Sequence, residues 1–280
     1  MYSYLANARI TREVLERHGL ATKHRLGQNF LINDGVIGKI IRLAELSEDD
    51  VVLEVGPGIG TLSVALLDAS GQVVAIEADR ELEAVLGETC LPTGRFTLVM
   101  GDALKVLPDG LPLVPTAFVS NLPYQVAATL ILKVFQEMPS IRRAVVMVQA
   151  EVADRIAAAS SSKAYGAYTA KLALLAKVAG RFEVGPGNFM PPPHVNSAVV
   201  RLDRAPLDDV PPATPSVIDA AFAQRRKTIR NSMAASGFNK EQLDAAFREA
   251  GIDGSCRAET LSPDDFVRLA HVLDSAALER

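Results

Sequence analysis

The sequence contains few residues that could form metal sites or covalent cross-links. Among 280 residues there are only two cysteines, Cys90 and Cys256, and they lie far apart along the chain. This spacing matches no set of metal ligands and does not favour a disulfide framework. We therefore expect two free thiols in a reducing cytoplasm and no bound metal. The four histidines are interpreted as surface residues: His18, His24, His194 and His271.

Long hydrophobic runs are absent as well. Residues 1–10 contain no apolar core of signal-peptide length. The apolar stretch 172–178 is short and is interrupted by Lys177. We therefore expect a cytoplasmic protein with no membrane segment. The hydrophobic content of 49% and the length suffice for one large domain and one small domain.

The chain also has no overall excess of basic residues, since its formal net charge is −4. This net charge argues weakly against a nucleic acid partner. However, the stretch 220–240 contains basic residues and no acidic residue, and a local basic face can bind a polyanion. With Arg226 and Arg230 four residues apart, one helix would place them on the same face. The predicted RNA contacts are Arg225, Arg226, Lys227 and Arg230, with Lys23 and Arg25 as a second group.

Short β-branched runs alternate with segments of helical spacing through the first half of the chain. This alternation predicts a parallel sheet that is covered by helices on both faces. Residues 182–184 and 198–202 could form two closing strands. The predicted parallel strands are 51–55, 73–77, 96–100, 117–120 and 144–149.

Prolines between residues 206 and 215 indicate a linker. Beyond this linker the apolar spacing is helical, over about 216–236, 240–250 and 263–275. We therefore predict a catalytic α/β domain over 1–205, with an N-terminal extension, and a small all-helical RNA-contacting domain over 206–280.

A glycine-rich turn follows the first predicted parallel strand and precedes a helix. Gly56, Gly58 and Gly60 allow the backbone to approach a ligand closely. A dinucleotide-binding turn would place its third glycine at position 61, which is Thr61. The spacing from Glu54 to Gly60 is instead typical of enzymes that use S-adenosylmethionine, although a glycine turn can also close a strand for purely structural reasons.

Acidic residues end the next two predicted strands. Glu77 could accept hydrogen bonds from both ribose hydroxyls of such a cofactor, and Asp102 could accept one from its adenine amine. Each acid alone could be a solvated loop carboxylate. Both acids at the carboxyl edge of one sheet favour a Rossmann-like, S-adenosylmethionine-dependent methyltransferase.

The tetrapeptide from Asn121 to Tyr124 offers groups that could hold the exocyclic amine of an adenine. The side-chain oxygen of Asn121 and the backbone carbonyl of Leu122 could accept its two protons, which would expose the nitrogen lone pair. Tyr124 could stack on the base. Such a base must leave its stack, and Phe189 is the candidate for its second face. These features predict methyl transfer to adenine N6.

At this level of detail the chain resembles the ribosomal RNA small-subunit dimethyladenosine transferases. The resemblance runs through nearly the whole chain. It is carried by residues 26–31, 54–60, 75–79, 101–104, 121–124, 148–153, 165–166, 189–202, 225–228 and 257–269.

This resemblance implies dimethylation of two adjacent adenines near the 3′ end of 16S rRNA, with a role in late assembly of the small subunit. It implies S-adenosylmethionine as cofactor, no metal, and a protein that acts as a monomer. The residues expected to handle the base are Asn121, Leu122, Tyr124 and Phe189. The residues expected to bind the cofactor are Gln28, Asn29, Leu31, Glu54, Gly56, Gly58, Gly60, Glu77, Asp102, Ala103 and Asn121.

Two alternatives remain open at the level of the sequence. One is a large-subunit adenine methyltransferase of the macrolide-resistance type, against which the segments 189–202 and 225–228 argue. The other is a non-catalytic RNA-binding assembly or transcription factor on the same fold. The intact Glu77, Asp102 and tetrapeptide favour retained catalysis.

Overall fold

The structure is a computed structural model that describes residues 1–20 and 29–278. The chain divides into two compact units. The first comprises Met1–Ala153 and Lys177–Arg204, and the second comprises Asp154–Ala176 and Ala205–Arg280.

The first unit contains a seven-stranded sheet. Its strands are β2 (Val51–Val55), β3 (Gln72–Glu77), β4 (Phe96–Met100), β5 (Ala117–Asn121), β6 (Arg143–Gln149), β7 (Ala176–Val184) and β9 (Ser197–Arg204). They follow the order β4-β3-β2-β5-β6-β9-β7 across the sheet. The five strands from β2 to β6 pair in parallel, and β9 pairs antiparallel with β6. The predicted α/β fold class is confirmed.

Helices precede the parallel strands, connect them and follow them. They are α1 (Ala8–Arg17), α2 (Asp34–Ala44), α3 (Thr61–Ala69), α4 (Glu83–Thr89), α5 (Ala103–Val106), α6 (Ala127–Glu137) and α7 (Ala150–Ile156), of which α7 continues past Ala153 into the second unit. The central strands are buried on both faces, which explains why their sequences are continuous apolar runs and do not alternate.

The order of the strands determines where a ligand can bind. After β2 the chain adds β3 and β4 on one side of the sheet, then returns to add β5 and β6 on the other side. The connections that follow β2 and β5 therefore leave the sheet in opposite directions. In open α/β sheets a crevice forms at such a switch point, outside the carboxyl ends of the strands.

A second, two-stranded sheet joins distant parts of the chain within this unit. Strand β1 (Phe30–Leu31) pairs antiparallel with β8 (Phe189–Met190). Beside it, the Ile32 amide donates to the Asn188 carbonyl at 2.9 Å, and the Asn33 side chain donates to that of Asn188 at 2.8 Å. The segment before α2 is thus attached to the proline-rich loop before β9.

The second unit is helical. Its helices are α8 (Ala167–Ala173), α9 (Thr214–Phe222), α10 (Ile229–Ala235), α11 (Lys240–Ala250) and α12 (Pro263–Leu278). The predicted boundary after residue 205 omitted the segment Asp154–Ala176, which belongs to this unit. The reason is its apolar side chains, because Tyr165, Ala170 and Leu174 pack in one cluster with the side chains of α9 to α12.

The single helix predicted over 216–236 is wrong, because it is interrupted by a turn. Helix α9 ends at Phe222 and α10 begins at Ile229. Thr228 has an extended backbone and its side chain accepts from the Asn231 amide at 3.4 Å, so it caps α10. The Gln224 amide donates to the Ser232 hydroxyl at 2.9 Å, which fixes the turn against α10.

Candidate functional site

A pocket opens at the switch point of the large sheet. Residues that follow β2, β3, β4 and β5 line it together with the β1 segment. The predicted site residues among its lining are Asn29, Leu31, Glu54, Gly56, Gly58, Glu77, Asp102, Ala103, Asn121, Leu122 and Tyr124. Of the other predicted cofactor residues, Gly60 is not part of the lining and Gln28 lies outside the described residues.

The glycine turn has the backbone conformation that its sequence predicts. The φ angles of Gly56, Gly58 and Gly60 are 74°, 62° and 88°, in the left-handed region that side chains disfavour. A Cβ at Gly58 would lie 3.2 Å from Cε1 of Phe30, and a Cβ at Gly56 would lie 3.3 Å from Cγ of Pro123. Glycine is therefore needed here both for the backbone angle and for the close approach of the neighbouring rings.

Gly60 has a different function from the other two glycines. A Cβ at this position would lie 2.6 Å from the Sγ atom of Cys90, a buried free thiol. The Cα of Gly60 thus faces the interior of the protein. Its contact with Cys90 explains the third glycine by packing beneath the turn.

Glu77 connects the end of β3 to the glycine turn. One carboxylate oxygen accepts from the Gly58 amide at 3.2 Å and the other accepts from the Asp79 amide at 2.9 Å. Only 7% of Glu77 is exposed, and burial raises its pKa although these backbone hydrogen bonds oppose the rise. The carboxylate retains acceptor capacity that a ligand in the pocket can use.

Asp102 lies at the next strand end and is exposed. Its Oδ1 atom accepts from the Leu104 amide at 3.0 Å and so caps α5. The second carboxylate oxygen, Oδ2, is available to a ligand. The short helix α5 thereby fixes the direction of the acid at the edge of the pocket.

Glu54 is the most deeply buried acid of the pocket, with 1% of its surface exposed. The Ser63 hydroxyl donates to its Oε2 atom at 2.6 Å. Burial raises the pKa of Glu54 to about 8, and the charge of Glu77 adds to the rise, while the Ser63 hydrogen bond opposes it. Glu54 is therefore protonated at neutral pH when no cation is near.

The tetrapeptide follows β5 directly. The Leu122 amide donates to the Met147 carbonyl at 3.1 Å, which continues the pairing of β5 with β6. The Asn121 side-chain nitrogen donates to the Asn29 carbonyl at 3.3 Å, so its oxygen is directed elsewhere. The Tyr124 hydroxyl lies 2.7 Å from that of Ser197.

Phe189 is buried and does not line the pocket, so its stacking on the base stays a prediction. Its side chain is 2% exposed, belongs to the main core cluster and is not part of the pocket lining. The reason is the β1–β8 pairing, in which Phe189 is opposite the equally buried Leu31. The aromatic residue of this region that does line the pocket is Phe30, which our sequence interpretation overlooked. Its position between two predicted cofactor residues was the available signal.

The predicted RNA-binding residues differ in their surroundings. Arg230 forms a bidentate ion pair with Asp244, with N–O distances of 2.5 and 2.6 Å. Arg225 donates to the Lys163 carbonyl at 2.7 Å. These two arginines therefore stabilise the second unit. Of the others, Arg226 and Lys227 are exposed in the turn before α10, and Lys23 and Arg25 lie outside the described residues.

Neither a metal-binding cluster nor a membrane-spanning helix is present in residues 1–20 and 29–278. Within these ranges, no three histidine, cysteine, aspartate or glutamate side chains form a group that could hold a metal ion. The same part of the chain contains no helix that is long and apolar enough to cross a membrane.

The sheet and its pocket define a Rossmann-like methyltransferase. Solved structures agree with this class. A dimethyladenosine transferase from Plasmodium falciparum is similar with a TM-score of 0.76 and 25% identity, over 89% of this chain and 98% of that one. The 23S rRNA methyltransferase ErmE is similar with a TM-score of 0.66 and 29% identity, over 88% of this chain and 100% of that one.

The sequence comparisons specify the family. The profile of the family "Ribosomal RNA adenine dimethylase" matches residues 19–275, and the chain belongs to this family. A protein from Rhodococcus opacus named ribosomal RNA small subunit methyltransferase A is 43% identical over 92% of this chain and 91% of its own. A protein of the same name from Thermobifida fusca is 42% identical over 92% and 93%. The predictions of the family and of an rRNA adenine dimethyltransferase are confirmed.

Proposed function

We propose that this enzyme uses S-adenosylmethionine to dimethylate N6 of two adjacent adenosines near the 3′ end of 16S rRNA. In this proposal it acts as a cytoplasmic monomer on the small ribosomal subunit during late assembly. The observation that carries the proposal is the convergence of Glu77, Asp102 and the tetrapeptide on one pocket. Relatives named for the small subunit, similar over more than nine-tenths of the chain, support the choice of RNA.

The residues around the pocket fit the proposed cofactor. The turn at Gly56 and Gly58 has no side chains that would obstruct the methionine part. Glu77 keeps acceptor capacity for the ribose hydroxyls, and Asp102 Oδ2 can accept from an adenine amine. When bound, the cofactor supplies an electrophilic methyl group on a positively charged sulfur. The buried carboxyl of Glu54 can stabilise positive charge here once it has lost its proton.

The tetrapeptide forms the side of the pocket that we assign to the target base. The hydrogen bond to Asn29 orients the Asn121 amide so that Oδ1 can accept one proton of the adenine amine. The backbone carbonyl of Leu122 can accept the other. Tyr124 offers its ring for stacking. Because the methyl donor is cationic, positioning of the amine supplies most of the rate and no strong general base is required.

We assign contact with the RNA backbone to Arg226 and Lys227. Both are exposed, whereas Arg225 and Arg230 are held by partners within the second unit. Lys23 and Arg25 stay predictions for a second contact.

The likeness to the 23S rRNA methyltransferase ErmE favours a second candidate, methylation of large-subunit RNA. One experiment separates the two. Purified small and large subunits that lack adenine dimethylation are incubated with the protein and labelled S-adenosylmethionine, and RNA fragments are mapped by mass spectrometry. We expect dimethyladenine at two adjacent positions near the 3′ end of 16S rRNA.

Label in 23S rRNA alone would refute the proposal in favour of the second candidate. Absence of label from both RNAs, with the cofactor bound, would refute both of these targets. The variant Asn121→Ala is the control for a contaminating methyltransferase, because it should bind the subunit and leave both RNAs unlabelled.

A further inference from the structure

We propose that Ser197 is a positioning residue for methyl transfer, because its hydroxyl holds the Tyr124 ring in the orientation that receives the target base. The proposal rests on the function proposed above, in which Tyr124 stacks on the adenine. Ser197 itself is not among the residues that line the pocket. Its effect must therefore pass through Tyr124.

Ser197 is a fixed point in the structure. It is fully buried and is the first residue of β9. In the antiparallel ladder it lies opposite Gln149 of β6, and the Ala150 amide donates to the Asn196 carbonyl at 2.9 Å just before it. Its backbone is thus held against the end of β6 and the start of α7.

Tyr124, in contrast, lies in the short loop between β5 and α6. Its side chain is partly exposed and lines the pocket. The 2.7 Å contact between its hydroxyl and that of Ser197 fixes the far end of the ring, while the loop fixes its Cα. Burial raises the pKa of the Tyr124 hydroxyl, so it is protonated at neutral pH and either oxygen can donate.

The Tyr124 hydroxyl orients the ring and adds nothing to the surface on which a base stacks. A base stacks on the face of a ring, and phenylalanine offers the same face as tyrosine. Without the bond to Ser197, the ring can turn about its side-chain torsions and must be ordered again each time a base enters. A neutral hydrogen bond is worth about 1 kcal/mol, so we expect its loss to slow methylation about fivefold to tenfold.

The test is a double-mutant cycle on Ser197→Ala and Tyr124→Phe, measured as kcat and KM for undermethylated subunits and as cofactor Kd. Each single variant removes one partner of the same bond, so each should lower kcat about fivefold to tenfold at unchanged cofactor Kd. The double variant should be no slower than the singles, because the bond is already lost in each of them.

Ser70→Ala is the matched control. Ser70 is another buried serine of the first unit that is 2% exposed, and its hydroxyl donates to the Leu66 carbonyl at 2.7 Å. It is not part of the pocket lining. This variant loses a buried hydroxyl of the same kind and should keep kcat within twofold of the wild type.

A measurement on the ring itself does not depend on the RNA. With five tyrosines in the chain, ¹³C-labelled tyrosine gives few ring signals, and Tyr124→Phe identifies that of Tyr124. We expect Ser197→Ala to move the chemical shift of this ring signal towards that of a tyrosine ring that reorients freely. Ser70→Ala should leave the chemical shift unchanged. An unmoved signal in Ser197→Ala would overturn the proposal.

Two kinetic results would also overturn it. One is wild-type kcat in Ser197→Ala; the other is a double variant whose loss equals the product of the two single losses. Tyr124→Phe removes the same bond from the pocket side, so the proposal can be refuted through this variant even when Ser197→Ala folds poorly. A wild-type protein that methylates no rRNA would refute the proposed function and leave the ring measurement as the separate test of Ser197.

Discussion

Glutamine in place of Glu54 should make the protein more stable, by an amount that grows with pH. The folded protein raises the pKa of Glu54 from its ordinary value of 4.5 to about 8. Between these values the unfolded chain has lost the proton while the folded protein keeps it. Since the unfolded state binds fewer protons, the free energy of unfolding falls by about 1.4 kcal/mol for each pH unit in this window. The stabilising effect of a protonated Glu54 is thus fully present below pH 4.5 and is lost as the pH rises to about 8.

The Glu54→Gln variant has no proton to lose and keeps an oxygen that can accept from Ser63. The two proteins should therefore be about equally stable near pH 5. By pH 8 the variant should be more stable by an amount on the order of 4 kcal/mol. Scanning calorimetry of both proteins from pH 5 to 8.5, without cofactor, measures this difference through the unfolding of the first unit. Glu54 also interacts electrostatically with Glu77 and Cys90. Both residues are present in the wild type and in the variant, so their own contributions to the free energy of unfolding largely cancel in the difference.

Glu88→Gln is the matched control for this prediction. The hydrogen bond with His18 and the charge of Arg17 lower the pKa of Glu88, so its carboxylate is favoured by the fold. Its replacement should bring no gain in stability as the pH rises. A difference between wild type and Glu54→Gln that is constant from pH 5 to 8.5, or that shrinks as the pH rises, would refute the reasoning, because it would mean that Glu54 is ionised in the folded protein.

Three further predictions concern the proposed function. Asn121→Ala removes an acceptor for the adenine amine and should lower kcat at least a hundredfold while the fold is kept. Single-turnover methylation measures the rate and circular dichroism checks the fold. A rate near that of the wild type would disprove the assignment of Asn121. Glu77→Ala should weaken cofactor binding about tenfold or more in calorimetric titration, with subunit binding little changed, and the reverse order would count against the ribose contact. Neutralising Arg226 and Lys227 together with glutamine should weaken subunit binding and reduce the slope of log K against log salt by about 1 to 2. An unchanged slope would exclude both residues as phosphate contacts.

Much of the catalytic unit could be predicted because its signals are local. The strands β2, β3 and β4 are short apolar runs that end at a glycine or an acid, and the carboxyl ends of parallel strands meet at one edge. For this reason Glu77 and Asp102 were expected to lie close together, and both line the pocket. The backbone angles of Gly56 and Gly58 follow from the same local pattern.

The features that were missed depend on contacts between distant segments. Phe189 is turned inward by its register with Leu31, a pairing that no local periodicity specifies. Gly60 is explained by Cys90, which comes from another helix end. Similarly, the turn before α10 interrupts a sequence of good helix formers, because the cap at Thr228 and the contact of Gln224 with Ser232 together outweigh local propensity.

The buried acids near the glycine turn lower the stability of the protein in the absence of a ligand, and the proposed function explains why they are there. Glu54 and Glu77 both have raised pKa values, chiefly because burial disfavours their charged forms. A core designed for stability alone would place apolar side chains there. A ligand that carries positive charge changes this balance, because it favours the ionised carboxylates that the empty protein resists. Raised pKa values in a pocket are therefore expected where the ligand is a cation, and they connect these buried acids to the chemistry proposed for the pocket.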